Sequence, residues 1–154
     1  MGKALLHRIK QKSFQSPQHE AMLNVIVAGD YLRQQVERAC AEFDITPIQF
    51  NVLRILMGAR PEGHPRCEII SRLIERGTDV TRLIDRLEKR GLVERARDGQ
   101  DRRHSHTRIT QAGVELLEKI NPILDIQHFE QMQRLSDEEC LELSRLCEKI
   151  YALE

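Results

Sequence analysis

The sequence predicts a mainly α-helical protein that carries one short antiparallel hairpin. Apolar side chains recur at helical spacing over most of the 154 residues, which is the pattern of amphipathic helices. Capping signals divide this pattern into segments, and the clearest is Thr46-Pro47-Ile48-Gln49. The period changes at residues 92–97 and 104–110, two β-compatible segments that flank a polar loop. A helix that leads into a charged hairpin is the outline of a winged helix-turn-helix, an α+β fold that is mainly helical.

The N-terminal part is predicted to be an arm followed by one long helix. Residues 1–16 have no clear amphipathic period, so we expect a mobile basic arm or a frayed terminus. A long helix is expected over residues 17–43, where the apolar stripe is broad for one buried face. Such a helix often packs against a second chain as well as its own. The stripe consists of Met22, Ile26, Gly29, Arg33, Val36, Cys40 and Phe43.

Two short helices are predicted next. The first begins at Thr46, where Gln49 completes a capping box, and residues 58–65 form a connecting loop rich in proline and glycine. The second begins at about Arg66, and residues 75–77 turn the chain into the following helix. Four of its side chains are expected to face inward: Ile69, Ile70, Leu73 and Ile74.

The following helix separates apolar from polar side chains. Thr78 is expected to cap its N-terminus, and Gly91 lets the chain leave it at positive φ. Hydroxyl and guanidinium groups on the outer face suit a major groove, where Arg pairs with guanine and Thr contacts base edges. The apolar residues follow the i, i+3, i+4, i+7 spacing of one buried face: Val80, Leu83, Ile84 and Leu87.

Several side chains of this region are therefore candidate DNA contacts. At the hairpin tip Arg102 and Arg103 are adjacent, and an arginine inserted into a narrow minor groove is held by the negative potential there. His104 and His106 alternate along the hairpin strand, where exposed polar residues or phosphate contacts are expected rather than metal ligands. The candidates on or just before the helix are Arg76, Thr78, Thr81, Arg82, Arg86 and Lys89.

Two further helices are predicted after the hairpin. Residues 110–113 open the first, and Pro122 should kink or restart it. Ser136, with Glu139 three residues later, starts the last. Without another partner these helices would leave much apolar surface exposed, so we expect them to form a dimer interface with the first long helix. A compact monomeric helical cap is the alternative. The stripe of the last helix contains Cys140, Leu143, Leu146, Cys147 and Ile150.

The central segment resembles the MarR family of bacterial dimeric winged-helix regulators. The resemblance rests on DVTRLIDRLEKRGLVER at residues 79–95, on DRR at residues 101–103 and on IT-x-A-G at residues 109–113. It implies that the helix over residues 78–90 reads a major groove and that Arg103, braced by Asp101, reaches a minor groove. It also implies a homodimer joined through its N- and C-terminal helices, often controlled by a small ligand or by oxidation.

The formal net charge is zero, but the charge is unevenly distributed. Residues 66–108 hold twelve Lys/Arg against eight Asp/Glu, whereas residues 109–154 hold four against ten. This separation gives the central module an attractive field for phosphate. Chance patterning of solvated faces explains the charge alone equally well, so the DNA-binding hypothesis depends on the helix and the hairpin.

Other chemistries have weaker signals. His64-x-x-Cys67 and His104-x-His106 could suggest a metal, but nothing supplies the tight second pair that a closed site of four ligands needs. No phosphate-binding glycine loop or nucleophile elbow occurs. We therefore expect no enzyme, no cofactor and no metal, and the short apolar runs predict a cytoplasmic protein without a membrane partner. In the redox-sensing branch of the family the reactive cysteine lies near the start of the first helix, and residues 17–30 contain none. The cysteines are expected to be reduced structural thiols: Cys40, Cys67, Cys140 and Cys147.

These observations predict one winged-helix domain over residues 1–154. Its dimerisation helices are expected at residues 17–43 and 111–154, and its DNA-binding module at 46–110, with a wing over about residues 92–110. The predicted function is a repressor-type transcriptional regulator that binds a pseudo-palindromic operator as a homodimer and is released by a small effector. The alternative is a helical dimer that acts through protein contacts, because Asp79 and Asp85 on the outer helix face repel phosphate unless they are paired.

Overall fold

A computed structural model of the chain describes residues 2–75, 77, 79–97 and 105–152. Within these residues helices predominate, and three short strands form one antiparallel sheet, so the predicted fold class is confirmed. None of the described helices is long and apolar enough to cross a membrane. The elements are α1 (Lys3–Ile9), α2 (Pro17–Ala41), α3 (Pro47–Met57), β1 (His64–Pro65), α4 (Arg66–Arg72), α5 (Val80–Lys89), β2 (Val93–Arg97), β3 (Ser105–Ile109), α6 (Gln111–Met132) and α7 (Asp137–Tyr151).

The N-terminal arm contains a helix that the sequence did not predict. Lys3–Ile9 forms α1, and Leu5 on this helix is only 4% exposed. A Cβ at Gly2 would lie 2.6 Å from the Phe14 ring, so the start of α1 is close to the segment that leads into α2. The prediction of an arm or a frayed terminus is therefore wrong for these residues. Seven residues make only about two turns, too few to establish an amphipathic period.

Two of the predicted helix starts are confirmed by their caps. The Ser16 hydroxyl accepts a hydrogen bond from the His19 N–H (3.2 Å), and α2 begins at Pro17. At α3 the Gln49 N–H donates to Thr46 Oγ1 (3.3 Å), while the Thr46 N–H donates to Gln49 Oε1 (2.9 Å). Both bonds of the capping box are present, so two of the otherwise unpaired amides at this helix end are satisfied.

Helix α4 is shorter than predicted, since the apolar spacing had suggested a helix that extends to Ile74. It ends at Arg72, and Leu73 already has an extended backbone. Ile69 and Leu73 are buried as expected, but Ile70 is 49% and Ile74 86% exposed. The inward orientation predicted for these two isoleucines is therefore wrong. Ile70 lies within α4 but on its exposed side, and Ile74 follows the point where the chain leaves the helical path.

The sheet has the order β1-β3-β2 and is antiparallel throughout. The predicted hairpin is confirmed, with Val93 opposite Ile109 and Arg97 opposite Ser105. The third strand lies in residues 58–65, which were predicted to be loop only. His64 pairs with Thr107, so the two-residue strand β1 joins the start of α4 to the wing.

Helices α6 and α7 follow the wing. The Thr110 hydroxyl donates to the Gly91 carbonyl oxygen (2.6 Å) and accepts from the Gly113 N–H (3.2 Å), which ties the start of α6 to the end of α5. Helix α6 continues through Pro122. Of the two predicted outcomes, a kink or a restart, the restart is therefore wrong. The capping box of Ser136 and Glu139 is present at α7, as predicted.

One hydrophobic core joins these elements. It is formed where α2, α3, α4 and α5 meet the wing and the first half of α6. None of the described residues of α7 is buried, and this helix lies outside the core. The side chains with almost no exposure include Cys40, Leu53, Leu56, Ile69, Leu87, Leu117 and Ile120.

Candidate nucleic-acid interface

Helix α5 presents two different faces. Its apolar residues are buried in the core, as predicted: Val80, Leu83, Ile84 and Leu87. Thr81, Arg82, Arg86 and Lys89 are all exposed on the other side. The Arg82 side chain is 81% exposed. The helix thus offers one hydroxyl and three cations on the surface that does not pack against the protein.

The start of α5 differs from the prediction. The N-cap is Asp79 rather than Thr78, since the Asp79 carboxylate accepts a hydrogen bond from the Arg82 N–H (3.2 Å). A carboxylate at a helix N-terminus also interacts favourably with the helix dipole. The same carboxylate pairs with the Arg82 guanidinium at 3.2 Å. Helix α5 therefore begins at Val80.

The C-terminal end of α5 is anchored to the rest of the module. Gly91 has φ +70, so the predicted left-handed exit from the helix is confirmed. The Arg90 guanidinium donates to the carbonyl oxygens of Phe43 (3.1 Å) and Asp44 in the connection between α2 and α3. The exposed Arg90 side chain is thereby bound to backbone carbonyls of the protein itself.

Arg95 joins α5 to the wing. This residue of β2 donates to Glu88 (2.7 Å) and to Asp85, both on α5. These ion pairs raise the pKa of the Arg95 guanidinium, chiefly through its hydrogen bond to Asp85. The carboxylates that face the cation are thereby neutralised. The side chains are about 40% exposed, so each pair contributes only about 0.2 to 1 kcal/mol to stability, but together they orient the helix relative to β2.

Arg66 reaches Thr81 across the gap between α4 and α5. Its Nη1 donates to the Thr81 Oγ1 at 2.9 Å. Arg66 was not among the residues predicted for the site, because fifteen residues separate the two side chains and no motif connects them. The one signal in the sequence was that a basic residue begins the helix before α5.

The remaining candidates are outside the described residues. They are Arg76 and Thr78 before α5, and Asp101, Arg102, Arg103 and His104 between the wing strands. His106 is in β3, half-buried, with its Cα opposite Pro65 of β1. The last described residues on either side of this segment, Arg97 of β2 and Ser105 of β3, lie opposite each other in the hairpin.

Several known proteins are similar to this chain in sequence and in fold. A family model described as MarR family matches residues 43–104. The HTH-type transcriptional regulator YkoM of Bacillus subtilis (strain 168) is 33% identical over 112 residues, which cover 73% of this chain and 71% of that protein. The chain belongs to the MarR family. The resemblance to that family, which rested on residues 79–95, 101–103 and 109–113, is confirmed.

Solved structures of MarR-family proteins have the same fold. The MarR transcription factor from Planctomyces limnophilus is 36% identical with a TM-score of 0.67, and the match covers 88% of this chain and 98% of that one. The S. aureus MepR-DNA complex has a TM-score of 0.75 at 24% identity and covers 88% and 96% of the two chains. At that identity the second match supports the winged-helix fold alone.

This MarR-family chain also contains a cavity of about 930 Å³ between α2, α3 and α6. Most of its lining is apolar. Arg54 lies over the Phe50 ring with 5.8 Å between the guanidinium carbon and the ring centroid, a cation–π contact. Asn51 accepts a hydrogen bond from the Ile74 N–H (3.3 Å), which links the cavity wall to the segment before α5. The polar residues of the lining are Arg33, Asn51, Arg54 and Glu75.

The cysteines of this MarR-family chain differ in their surroundings. Cys40 is completely buried, and burial raises the pKa of its thiol to about 11. Cys67 is exposed, so the prediction of structural thiols does not describe it, whereas Cys140 and Cys147 are half-buried. Among the described residues no three His, Cys, Asp or Glu side chains are grouped as a metal site.

Proposed function

We propose that this MarR-family regulator binds double-stranded DNA sequence-specifically and represses transcription. The observation that supports this most is the outer face of α5, where Thr81, Arg82, Arg86 and Lys89 are exposed while the opposite face is buried. A helix with these side chains suits a major groove, in which Arg82 or Arg86 pairs with guanine. Arg102 and Arg103, which follow β2 in sequence, are proposed to contact the adjacent minor groove, with Asp101 bracing Arg103.

The pairing of acidic side chains supports DNA binding over a purely protein-binding role. Asp79 pairs with Arg82 and caps the helix, and Asp85 pairs with Arg95. Unpaired carboxylates on this face would repel phosphate, whereas paired ones add little negative potential. In the free protein both carboxylates are thus paired with a neighbouring arginine, and Asp79 remains the helix cap if Arg82 turns to a base.

We propose further that the protein acts as a homodimer. Apolar side chains on α2 and α7 remain exposed in the single chain, including Met22 (53%), Ile26 (57%) and Ile150 (67%). Apolar surface of this extent is characteristic of an interface. A two-fold dimer presents two copies of α5, so it is expected to prefer a pseudo-palindromic site whose half-sites are one helical turn or a multiple of it apart.

A small effector is proposed to bind the cavity between α2, α3 and α6. Ile74 and Glu75 line it and directly precede the turn into α5. A molecule that displaces this segment would change the orientation of α5 relative to the dimerisation helices, and hence the affinity for the operator. An effector acts in this way only if it binds the DNA-free arrangement more tightly than the DNA-bound one.

The experiment that tests DNA binding is selection from a random pool of duplexes by the purified protein, with affinity followed against salt. Enrichment of a palindrome, together with a linear fall of the logarithm of the affinity with the logarithm of salt concentration, is the expected result. Enrichment of no sequence, with no salt-dependent binding to any duplex, would contradict the proposal and favour the protein-contact alternative. Transcription of a reporter behind the selected sequence then distinguishes repression from activation.

A further inference from the structure

The hydrogen bond between Arg66 and Thr81 joins two exposed side chains on neighbouring helices. Arg66 is the first residue of α4 and Thr81 the second of α5, and both side chains are exposed. Among the described residues no carboxylate pairs with Arg66, whereas Arg72 on the same helix pairs with Glu68 at 2.6 Å. The cation at Arg66 is therefore aimed at a hydroxyl although it has no charged partner within the described chain.

This contact restricts what the Thr81 hydroxyl can do. A threonine hydroxyl has one hydrogen to donate and two lone pairs that accept. The Arg66 N–H occupies one lone pair at 2.9 Å, so the hydroxyl hydrogen must point away from Arg66. Thr81 is exposed on the outer face of α5, and among the described residues none accepts a hydrogen bond from its hydroxyl, so this donor is available to a group beyond that face. The result is an oriented hydrogen-bond donor on the surface proposed to face the base edges.

We propose that Arg66 is a positioning residue for base recognition, which holds the Thr81 hydroxyl as a donor to one operator base pair. The major groove offers matching acceptors at guanine N7 and O6, adenine N7 and thymine O4. This inference rests on the proposed DNA binding by α5. Arg66 acts here through Thr81, and its effect on sequence preference requires the hydroxyl.

A double-mutant cycle tests the inference with the full-length protein. Arg66→Ala, Thr81→Val and the double variant are compared with wild type on the selected operator and on operators changed at one base pair at a time. Valine is β-branched like threonine but lacks the hydroxyl and so can neither donate nor accept this hydrogen bond. Thermal unfolding of each variant verifies that it is folded. The matched control is Arg72→Ala, which removes a cation from the same helix but not the contact with Thr81.

The expected result is that the two substitutions are not independent. Each is expected to weaken operator binding by about tenfold, and the double variant to bind roughly tenfold more tightly than the product of the single effects requires. Changing one particular base pair of the operator should no longer alter the affinity of Arg66→Ala or of Thr81→Val. The same change should still alter the affinity of Arg72→Ala as it does that of wild type.

Two results would overturn the inference while leaving the proposed function intact. One is independent effects of the two substitutions on the operator. The other is an Arg66→Ala variant that loses affinity equally on every duplex and has a smaller salt dependence, which is the behaviour of a plain phosphate contact. A wild-type protein that binds no duplex would instead overturn the proposed function itself.

Discussion

At the scale of single residues, the arginines of α5 are expected to contribute most to sequence recognition. Replacing Arg82 or Arg86 by alanine should weaken binding to the selected operator by roughly 1 to 3 kcal/mol, because a bidentate contact to guanine would be lost. Affinity is measured by titration of labelled operator at fixed salt. Arg145→Ala is the matched control, since Arg145 is also exposed but pairs with Glu142 (2.6 Å) on α7.

Arg82 and Arg86 differ in whether an acidic side chain is paired with them. Arg82 is paired with Asp79, so its release to DNA leaves a carboxylate at the helix N-terminus, where it still caps the Arg82 N–H. No described carboxylate is paired with Arg86. Unchanged operator affinity in both variants would show that the exposed face of α5 does not read bases in this register.

The thiols are expected to react at very different rates in the folded protein. The thiolate is the reactive form, and Cys40 is buried with its pKa raised to about 11, so at pH 8 it should resist thiol reagents. Exposed Cys67 should be labelled quickly. Labelling followed by peptide mass spectrometry gives the order of reaction, and Cys67→Ser should remove the fast phase. Rapid modification of Cys40 without denaturant would contradict the buried position.

Cys40 is also expected to make the stability fall at alkaline pH. Burial raises the pKa of its thiol from 9.0 to about 11, so above pH 9 the unfolded chain loses this proton before the folded chain does. The contribution is fully present below pH 9 and is lost as the pH rises towards 11. Unfolding by urea at several pH values measures it, and in Cys40→Ala the fall between pH 9 and 11 should be shallower than in wild type.

At the scale of elements, local signals predicted the helices whose start is defined within four residues. Thr46 with Gln49, and Ser136 with Glu139, form the expected capping boxes because the bonds involve only neighbours in sequence. The N-cap of α5 was assigned one residue too early, since threonine and aspartate are adjacent there and both suit the position. Strand β1 was missed because its partner is β3, about forty residues away.

Two glycine substitutions should have opposite effects. In Gly113→Ala the new Cβ would overlap the Leu92 carbonyl oxygen and lie 2.6 Å from Ile109 Cγ1, where α6 begins against the base of the wing. We expect a loss of about 1 to 3 kcal/mol from this overlap. Gly58 has φ −67, and a Cβ there meets its nearest atom at an ordinary 3.6 Å. Gly58→Ala should therefore be neutral or stabilise by about 0.4 to 1 kcal/mol.

Equilibrium unfolding in urea measures both changes, with the midpoint and the slope compared to wild type. Equal stability of the two variants would mean that the start of α6 moves away from Leu92 without cost. That result would contradict the tight contact between α6 and the wing, which the Thr110 hydroxyl bonds also indicate.

At the scale of the whole molecule, the proposed dimer is expected to depend on the exposed stripe of α7. A charge introduced there would be buried without a partner, so Leu143→Glu should weaken the dimer by roughly 3 kcal/mol or more. Leu143 is 44% exposed in the single chain, and Leu141, which is 73% exposed, points to the opposite side of the helix. Leu141→Glu is thus the matched control. Sedimentation at several protein concentrations measures the dimer constant of each variant.

A Leu143→Glu variant that remains as dimeric as Leu141→Glu would exclude this stripe from the interface. If the variant is monomeric, its affinity for a full palindrome should approach its affinity for a single half-site. Comparing the affinities for the full palindrome and for the half-site therefore tests whether dimerisation through α7 affects the proposed DNA binding by α5. None of the described residues of α7 belongs to the core that contains α5.

The parts of the candidate site that escaped sequence analysis are those made by residues distant in the chain. The exposed face of α5 followed from spacing within ten residues. The bond of Arg66 to Thr81, the ion pairs of Arg95 and the cavity beside Ile74 each require the mutual placement of separate elements. Periodicity within one segment carries no information on such placement.

The ion pairs of Arg95 have a consequence for the DNA itself. They join α5 to β2 and so help to set the orientation of the helix relative to this strand of the wing. A single base pair inserted between the core of a half-site and its A/T-rich flank would move that flank by about 3.4 Å and rotate it by about 35°. The two contacts could not then be made together. Within the proposed binding mode, the distance in base pairs between core and flank is thus part of the recognised sequence, as invariant as the bases.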